Sequence, residues 1–304
     1  MKRLTLLALT LLVFVASAYA QFTFKSLDFP GGTLTTGRGI NNLGDIVGAY
    51  RTDGPRHALL IKNGKYQPIA PDSILGINYS KATSINDYGD ITGQMIDDNG
   101  SVHGFLVRDG VVTILDVAGA SDTFALGIND SGLVAGYWDL LDAYGNYLVN
   151  LGFTWKDGTF IDTQINFPGA TGALPGAGLF GVNSRGDLSG VWLPDLNGNI
   201  EHGFVCPKTA PCFSYDASVP GTVLTQGDGI NAHGQVAGVS CDDNFVCHAF
   251  LKVGATLTSF DYPGATSTAA YGINSAGQIV GKYFTADGLT HGFLAQPVQT
   301  RKPQ

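Results

Sequence analysis

The segment Gly272-Ile273-Asn274-Ser275-Ala276-Gly277-Gln278-Ile279-Val280-Gly281 reads as a strand, a tight turn and the start of a second strand. An apolar run enters it from Ala269 and another leaves it through Tyr283. Between them lies Asn-x-x-Gly: asparagine can bond the backbone ahead of it, and glycine takes a positive φ with no Cβ penalty. The same Gly/Ser-Ile/Val-Asn triplet recurs six times, ending at Asn41, Asn86, Asn129, Asn183, Asn231 and Asn274. Each copy has its turn glycine three residues on, and a further glycine at Gly48, Gly93, Gly136, Gly190, Gly238 or Gly281.

A second triplet, His-Gly/Ala-Phe/Leu, follows each time, beginning at His57, His103, His202, His248 and His291; the third copy has Leu151-Gly152-Phe153. Asn63-Gly64, Asp109-Gly110 and Asp157-Gly158 then give strong two-residue hairpin signals. The unit ends in segments like Phe260-Asp261-Tyr262-Pro263-Gly264-Ala265. Four short strands in every 43 to 54 residues match the blade of a β-propeller. The phase of the repeats sharpens this. The last unit stops after its third strand at Leu294-Ala295, while residues 24–30 form a lone fourth strand that mirrors Phe260 to Ala265. The expectation is an all-β, six-bladed propeller of four-stranded blades, closed by the N-terminal strand pairing with the last blade. An open β-solenoid is the competing architecture. In the ring, the small residues two before the Gly-Ile-Asn glycine (Gly37, Ala82, Ala125, Gly227 and Ala270, with Leu179) are expected to line the axis.

At these triplets the chain resembles the extracellular HAF-repeat proteins, a family named for its His-Ala-Phe motif. The resemblance covers essentially the whole chain beyond its first residues. It implies secretion and repeat architecture, and it carries over no catalytic residue.

Composition agrees. Glycine is 42 of 304 residues, and acidic residues are 24 Asp against the single Glu201, a bias toward turns and away from helix surfaces. Lys2 and Arg3, the apolar run to Ala16 and Ala18-Tyr19-Ala20 read as a secretory signal peptide over 1–20. The alternative, an anchor helix, has an apolar core short for a span. One domain over 21–297 and a tail over 298–304 then follow. Without the leader, 15 basic residues face 25 acidic ones, which disfavours nucleic acid and anionic membranes as partners.

The four cysteines read as two local disulfides, Cys206–Cys212 and Cys241–Cys247, in an exported chain. A four-cysteine zinc site is the alternative, at an unusual spacing. The repeated histidines are expected to be structural, each bonding a nearby backbone group, with no metal. Asp195-Leu196-Asn197-Gly198-Asn199 comes nearest to a calcium loop but lacks the full pattern. There is no nucleophile elbow or phosphate loop, and the lone Glu makes a two-carboxylate glycosidase hard to assemble. No catalytic residue or cofactor is assigned.

The end of each blade that carries the second-to-third loop is the expected ligand face. Asp139 to Asn150 reads there as the longest such loop, and Pro168 to Gly178 and Pro194 to Glu201 as extended connections. Two residues after each second-strand glycine come Tyr50, Met95, Trp138, Trp192, Ser240 and Tyr283. Trp138, Asp139, Tyr144, Trp192 and Asp195 are therefore the candidate ligand-binding residues, rings for stacking beside polar groups. Packing of these rings between blades is the competing reading. The function indicated is a secreted binding or scaffold module for an extracellular polysaccharide or protein. A polysaccharide hydrolase or lyase, and a structural envelope component, are the alternatives.

Overall fold

The computed structural model describes residues 22–69, 79–142, 144, 146–162, 176–194, 200–218 and 221–298. The segment over 1–20 read as a signal peptide, most of the Pro168–Gly178 connection, Asp195 and nearly all of the predicted tail lie outside the described residues.

Among the described residues every regular element is a strand. A lone strand β1 (Phe22–Leu27) precedes the first unit, β2 (Leu34–Ile40), β3 (Ile46–Arg51), β4 (His57–Lys62) and β5 (Lys65–Pro68). The second unit is β6 (Tyr79–Ile85), β7 (Ile91–Ile96), β8 (Val102–Arg108) and β9 (Val111–Leu115). The third is β10 (Thr123–Ile128), β11 (Val134–Leu141), β12 (Tyr147–Lys156) and β13 (Thr159–Asp162). The fourth is β14 (Gly176–Val182), β15 (Leu188–Leu193), β16 (His202–Cys206) and β17 (Phe213–Tyr215). The fifth is β18 (Thr222–Ile230), β19 (Val236–Asp242), β20 (Cys247–Val253) and β21 (Thr256–Phe260). The last is β22 (Ser267–Ile273), β23 (Ile279–Phe284) and β24 (Thr290–Pro297).

The molecule is a β-propeller of four-stranded antiparallel blades. The second to fifth units each form a separate four-stranded sheet. The sixth and first lie on one hydrogen-bonded path, joined by the single parallel pair Leu34↔Thr290. β1 pairs antiparallel with β24, from Phe22↔Pro297 to Leu27↔Gly292. The predicted loop from Asp139 to Asn150 is instead mostly ladder: β11 and β12 continue through Asp139↔Asn150 and Leu140↔Val149.

The local signals have direct physical counterparts. Asn63 and Gly64 both have positive φ, 52° and 71°, as the twist of a two-residue hairpin requires. Each second-strand glycine pairs across the sheet with the last residue of the His-x-Phe triplet, as in Gly281↔Phe293. A Cβ on Gly281 would sit 2.0 Å from the Ala269 carbonyl oxygen and 2.6 Å from the Phe293 ring. Phe105, Phe153, Phe204, Phe250 and Phe293 are all fully buried, and burying such a ring is worth about 1.5–3 kcal/mol. The apolar residue of each Gly-Ile-Asn triplet packs between neighbours: Ile85, for example, joins Val47 and Ala58 of one blade to Met95 and Phe105 of the next.

The asparagines link the units head to tail. Asn41 Nδ2 donates to the Asn86 carbonyl oxygen at 3.0 Å, and the pattern continues through Asn86→Asn129, Asn129→Asn183, Asn183→Asn231 and Asn231→Asn274. Asn274 Nδ2 then donates to the Asn41 carbonyl oxygen.

Candidate ligand-binding channel

In all six innermost strands (β2, β6, β10, β14, β18 and β22) the ladder slips by one residue just before the Gly-Ile-Asn triplet. The skipped residues are Arg38, Thr83, Leu126, Phe180, Asp228 and Tyr271. A bulge of this kind frees one residue from the ladder and re-aims its side chain. All six bulged residues line both cavities along the axis, so they form a waist between a narrow mouth and a wide one.

This corrects the expectation for the axis. Gly37, Ala82, Ala125, Leu179, Gly227 and Ala270 line neither cavity. Alternation along the strand turns them into the blade contacts; a Cβ on Gly104, for instance, would meet the Ala125 Cβ at 3.2 Å. The small residue that permits close approach is the triplet glycine itself. A Cβ on Gly272 would lie 3.0 Å from Gly39 Cα, and one on Gly229 would lie 3.0 Å from Gly272 Cα.

The narrow mouth, about 130 Å³, is lined by the asparagine ring together with Asp87, Asp130, Asn42 and Ser275. Its carboxylates serve the backbone: Asp87 accepts from Asn42 N, and Asp130 accepts from Asp87 N. Among the described residues no group of three or more His, Cys, Asp or Glu side chains could hold a metal ion.

The wide mouth, about 440 Å³, opens at the end carrying the second-to-third loops. Three repeat positions build its wall: the bulged residue, the residue two before it, and the residue after the second-strand glycine. Around the cyclic order of the units the chemistry is divided. The third and fourth units contribute an apolar arc of Phe124, Leu126, Tyr137 and Phe180. Phe124 stacks on Tyr137 at 4.4 Å between centroids, and Phe180 lies 5.9 Å from Tyr137. The fifth, sixth, first and second units contribute the charged residues Asp228, Lys282, Arg38 and Lys81, and the fifth and sixth add apolar ones such as Leu224, Val239, Phe245 and Phe284. Arg38 lies over the Tyr271 ring, 3.8 Å from its centroid, a cation–π contact.

These charges are close but not closed into pairs. Among the described residues no ion pair links Asp228 to Arg38, Lys81 or Lys282; Asp228 Oδ2 and Arg38 Nε are buried with no hydrogen-bond partner. Burial pushes the Asp228 carboxyl up to about 8, against the pull of Arg38, Lys81 and Lys282. Burial also holds Lys81 well below the ordinary lysine value, and repulsion from Arg38, Arg56 and Lys282 adds to it, with Asp228 opposing. Both residues keep intermediate exposure because the cavity reaches them, although protein surrounds them on the other sides.

The predicted ligand residues that are described, Trp138, Asp139, Tyr144 and Trp192, do not line this mouth. Trp192 is 5% exposed and packs with Ala177, Leu179 and Phe204, so no ring face is left for a ligand. Trp138 is half-buried against a different cluster, with Phe153 and Trp155. Asp139 is half-buried and accepts from the Asn150 side chain; burial raises its carboxyl. Tyr144 is 92% exposed. The position two after the second-strand glycine is thus mainly an interior one: Met95, Ser240 and Tyr283 are buried as well.

The histidines also differ from expectation in their partner. The Nδ1 atoms of His103, His202, His248 and His291 bond the carboxylates of Asp116, Asp216, Asp261 and Asp28, at 2.8–2.9 Å, instead of backbone groups. The signal was in the sequence: each Asp occupies one place in the unit-ending segment, as in Leu27-Asp28-Phe29 and Phe260-Asp261-Tyr262. All four cysteines are in the two local disulfides, Cys206–Cys212 and Cys241–Cys247, which leaves none for zinc.

No known protein family and no curated protein matches the chain. Solved structures do resemble it in fold. A lectin of Aleuria aurantia in complex with a fucosyl-GlcNAc disaccharide is 11% identical, with a TM-score of 0.51 over 88% of this chain and 97% of the lectin. That lectin is described as a six-bladed β-propeller with fucose recognition; its structure matches at 12% identity and a TM-score of 0.50, over 88% and 97% of the two chains. A variant of AofleA from Arthrobotrys oligospora is 12% identical, with a TM-score of 0.52 over 93% of this chain and 91% of that one.

Proposed function

We propose that this chain is a secreted carbohydrate-binding module of the HAF-repeat kind, a closed six-bladed propeller that takes its saccharide at the wide mouth of the central channel. The observation that carries the reading is the divided wall of that mouth. Sugars need an apolar surface for their C–H faces and hydrogen-bonding groups at the edge, and Phe124, Tyr137 and Phe180 stand beside Arg38, Gln226 and Lys282 in one cavity. The six-blade count and the closure are supported by the asparagine chain returning to Asn41 and by β1 on β24. The fold likeness to fucose-binding lectins supports a carbohydrate ligand. The two disulfides support an oxidising compartment.

A glycan array probed with the labelled protein tests this, followed by calorimetry on each hit with wild type and with Tyr137→Ala. The expected result is saccharide binding that weakens at least several-fold in the variant. Binding unchanged in the folded variant would remove the channel from the reading. Release of new reducing ends from a polysaccharide panel would replace the binding module with a hydrolase or lyase.

A further inference from the structure

We infer that the wide mouth is an acidic-sugar site, with Arg38, Lys81 and Lys282 holding the carboxylate of a uronic acid while Phe124, Tyr137 and Phe180 take its ring. The inference rests on the carbohydrate reading and names the ligand class. Its starting point is a charge imbalance. The chain as a whole carries a net charge of −8, yet the wide cavity gathers three cationic side chains and a single carboxyl, Asp228. Three basic groups around one small space repel one another, and burial together with that repulsion holds Lys81 below its ordinary value; an anion that joins them favours its charged form.

The packing leaves room for that anion. Arg38 is held by its ring contact with Tyr271, and its buried Nε has no partner in the protein. Lys282 is 4.9 Å from the centre of Phe284, an attractive but undirected contact. Leaving a buried donor unpaired costs about 1–3 kcal/mol, so Arg38 carries a standing penalty; Nε itself has no exposed surface, and a ligand oxygen relieves that penalty only if the side chain turns toward the cavity. Asp228 stands on the same side with a carboxyl that burial favours in the protonated form. It therefore adds little repulsion to an incoming carboxylate, and its proton can be donated to a sugar hydroxyl or ring oxygen.

The opposite arc fixes the rest of the ligand. Phe124, Leu126, Tyr137 and Phe180 supply an apolar wall across the cavity from the cations. A free inorganic anion would leave that wall in contact with water. A uronic acid satisfies both sides at once: a carboxylate at one edge of its ring and C–H groups on its face. The cavity volume, about 440 Å³, suits a mono- or disaccharide against the usual pocket range of about 300–1,000 Å³.

The test is calorimetry of the intact protein with galacturonate and glucuronate, with galactose, glucose and acetate as comparisons, in wild type, Lys81→Met and Lys282→Met. Methionine keeps the length of the stem and removes the charge, and at a buried lysine it is not expected to unfold the chain. The expected result is uronate binding that falls about tenfold in each variant, as loss of one charged contact predicts, with neutral sugars bound more weakly and unaffected. Equal binding of neutral and acidic sugars, or uronate binding indifferent to both lysines, would overturn the inference and leave the carbohydrate reading in place. Lysine-dependent binding of acetate as strong as that of the uronates would overturn both, because the sugar ring would contribute nothing. Absence of binding by every probe would overturn the inference and leave the carbohydrate reading to the glycan array.

Discussion

Asn274 donates its side-chain amide to the backbone carbonyl of Asn41 at 3.1 Å, across 233 residues of sequence. The same side chain accepts from Ala276 N and Gln278 N through Oδ1, so one buried residue caps its own turn and grips its neighbour. Asn129 holds Asn183 in the same way within the chain. If the ring is closed, the contact between the ends and an internal one are equivalent. Asn274→Ala and Asn129→Ala should each cost about 1–3 kcal/mol, the penalty for buried groups left unpaired. Denaturant midpoints decide it: a much smaller loss at Asn274 would mean that the contact between the ends does not bear on stability.

Gly281→Ala should be among the most damaging single changes. The added Cβ meets a backbone carbonyl oxygen as well as the Phe293 ring. Overpacking of this kind costs about 1–3 kcal/mol and sometimes more. Phe293→Leu should not rescue it, because the first unit already has Leu59 at that place and a Cβ on Gly48 would still lie 1.8 Å from the Thr36 carbonyl oxygen. Thermal denaturation of the single and double variants checks this; a double variant as stable as Phe293→Leu alone would show that the ring sets the constraint.

The His103 imidazole should titrate above its ordinary value. Burial works against the charged form, but Asp116 and then Asp97 outweigh it. A raised folded pKa means that the pair stabilises the protein fully below about pH 6.5, the unfolded value, and that the contribution is lost as pH rises through the folded one. NMR titration should show a raised midpoint that moves down in Asp116→Asn. A midpoint unmoved by that substitution would mean that Asp116 is not the cause.

Asp228 has the opposite consequence for a carboxyl. Its folded pKa of about 8 lies above the unfolded value, so between about pH 4 and pH 8 the folded state binds more protons. Its contribution to stability therefore falls as pH rises through that window. Lys81 has its pKa lowered in the fold, so its contribution rises with pH above that lowered value. The groups facing this pair are Arg38 on β2, Arg56 ahead of β4, Lys282 on β23, Tyr271 on β22 and Tyr215 on β17, whose hydroxyl burial and Asp228 push up. Asp228→Asn removes one slope and leaves the other. Its midpoint, compared with wild type from pH 5 to pH 8, should gain with increasing pH; a constant difference would show that Asp228 is ionised throughout.

Reduction of the disulfides should cost modest stability. Each bridge closes a loop with a separation of 6 residues, and loops that short are worth about 2 kcal/mol in the chain-entropy picture. Reduced and oxidised protein, compared by guanidinium unfolding after alkylation, should differ by about that much per bridge and keep the same β-rich circular dichroism. Loss of the fold on reduction would show that the bridges do more than staple two hairpins.

Much of this was local and so legible in the chain. The Asn-x-x-Gly turns, the Asn63-Gly64 type of hairpin, the two cystines and the four-strand unit each depend on residues within a few positions of one another. Repetition then multiplies one unit's physics. The misreading of the axis has one origin. Which face of an innermost strand meets the axis depends on the bulge at Arg38, Thr83, Leu126, Phe180, Asp228 and Tyr271. A one-residue slip exchanges the two faces of a strand, and nothing in a strand's own alternation announces it. The aromatic row was expected at the ligand face, yet Trp192 and Tyr283 are interior; their burial depends on which blades they pack between, which no local spacing shows. The channel chemistry belongs to tertiary structure altogether. Arg38, Lys81, Asp228 and Lys282 come from four units, and although they occupy repeat positions, their residue types follow no period. Sequence alone determined the unit and its number of copies; only the packing of the blades around the axis decided which unlike side chains would share one cavity, because the distances across the axis are set by how blades pack and not by any spacing along the chain.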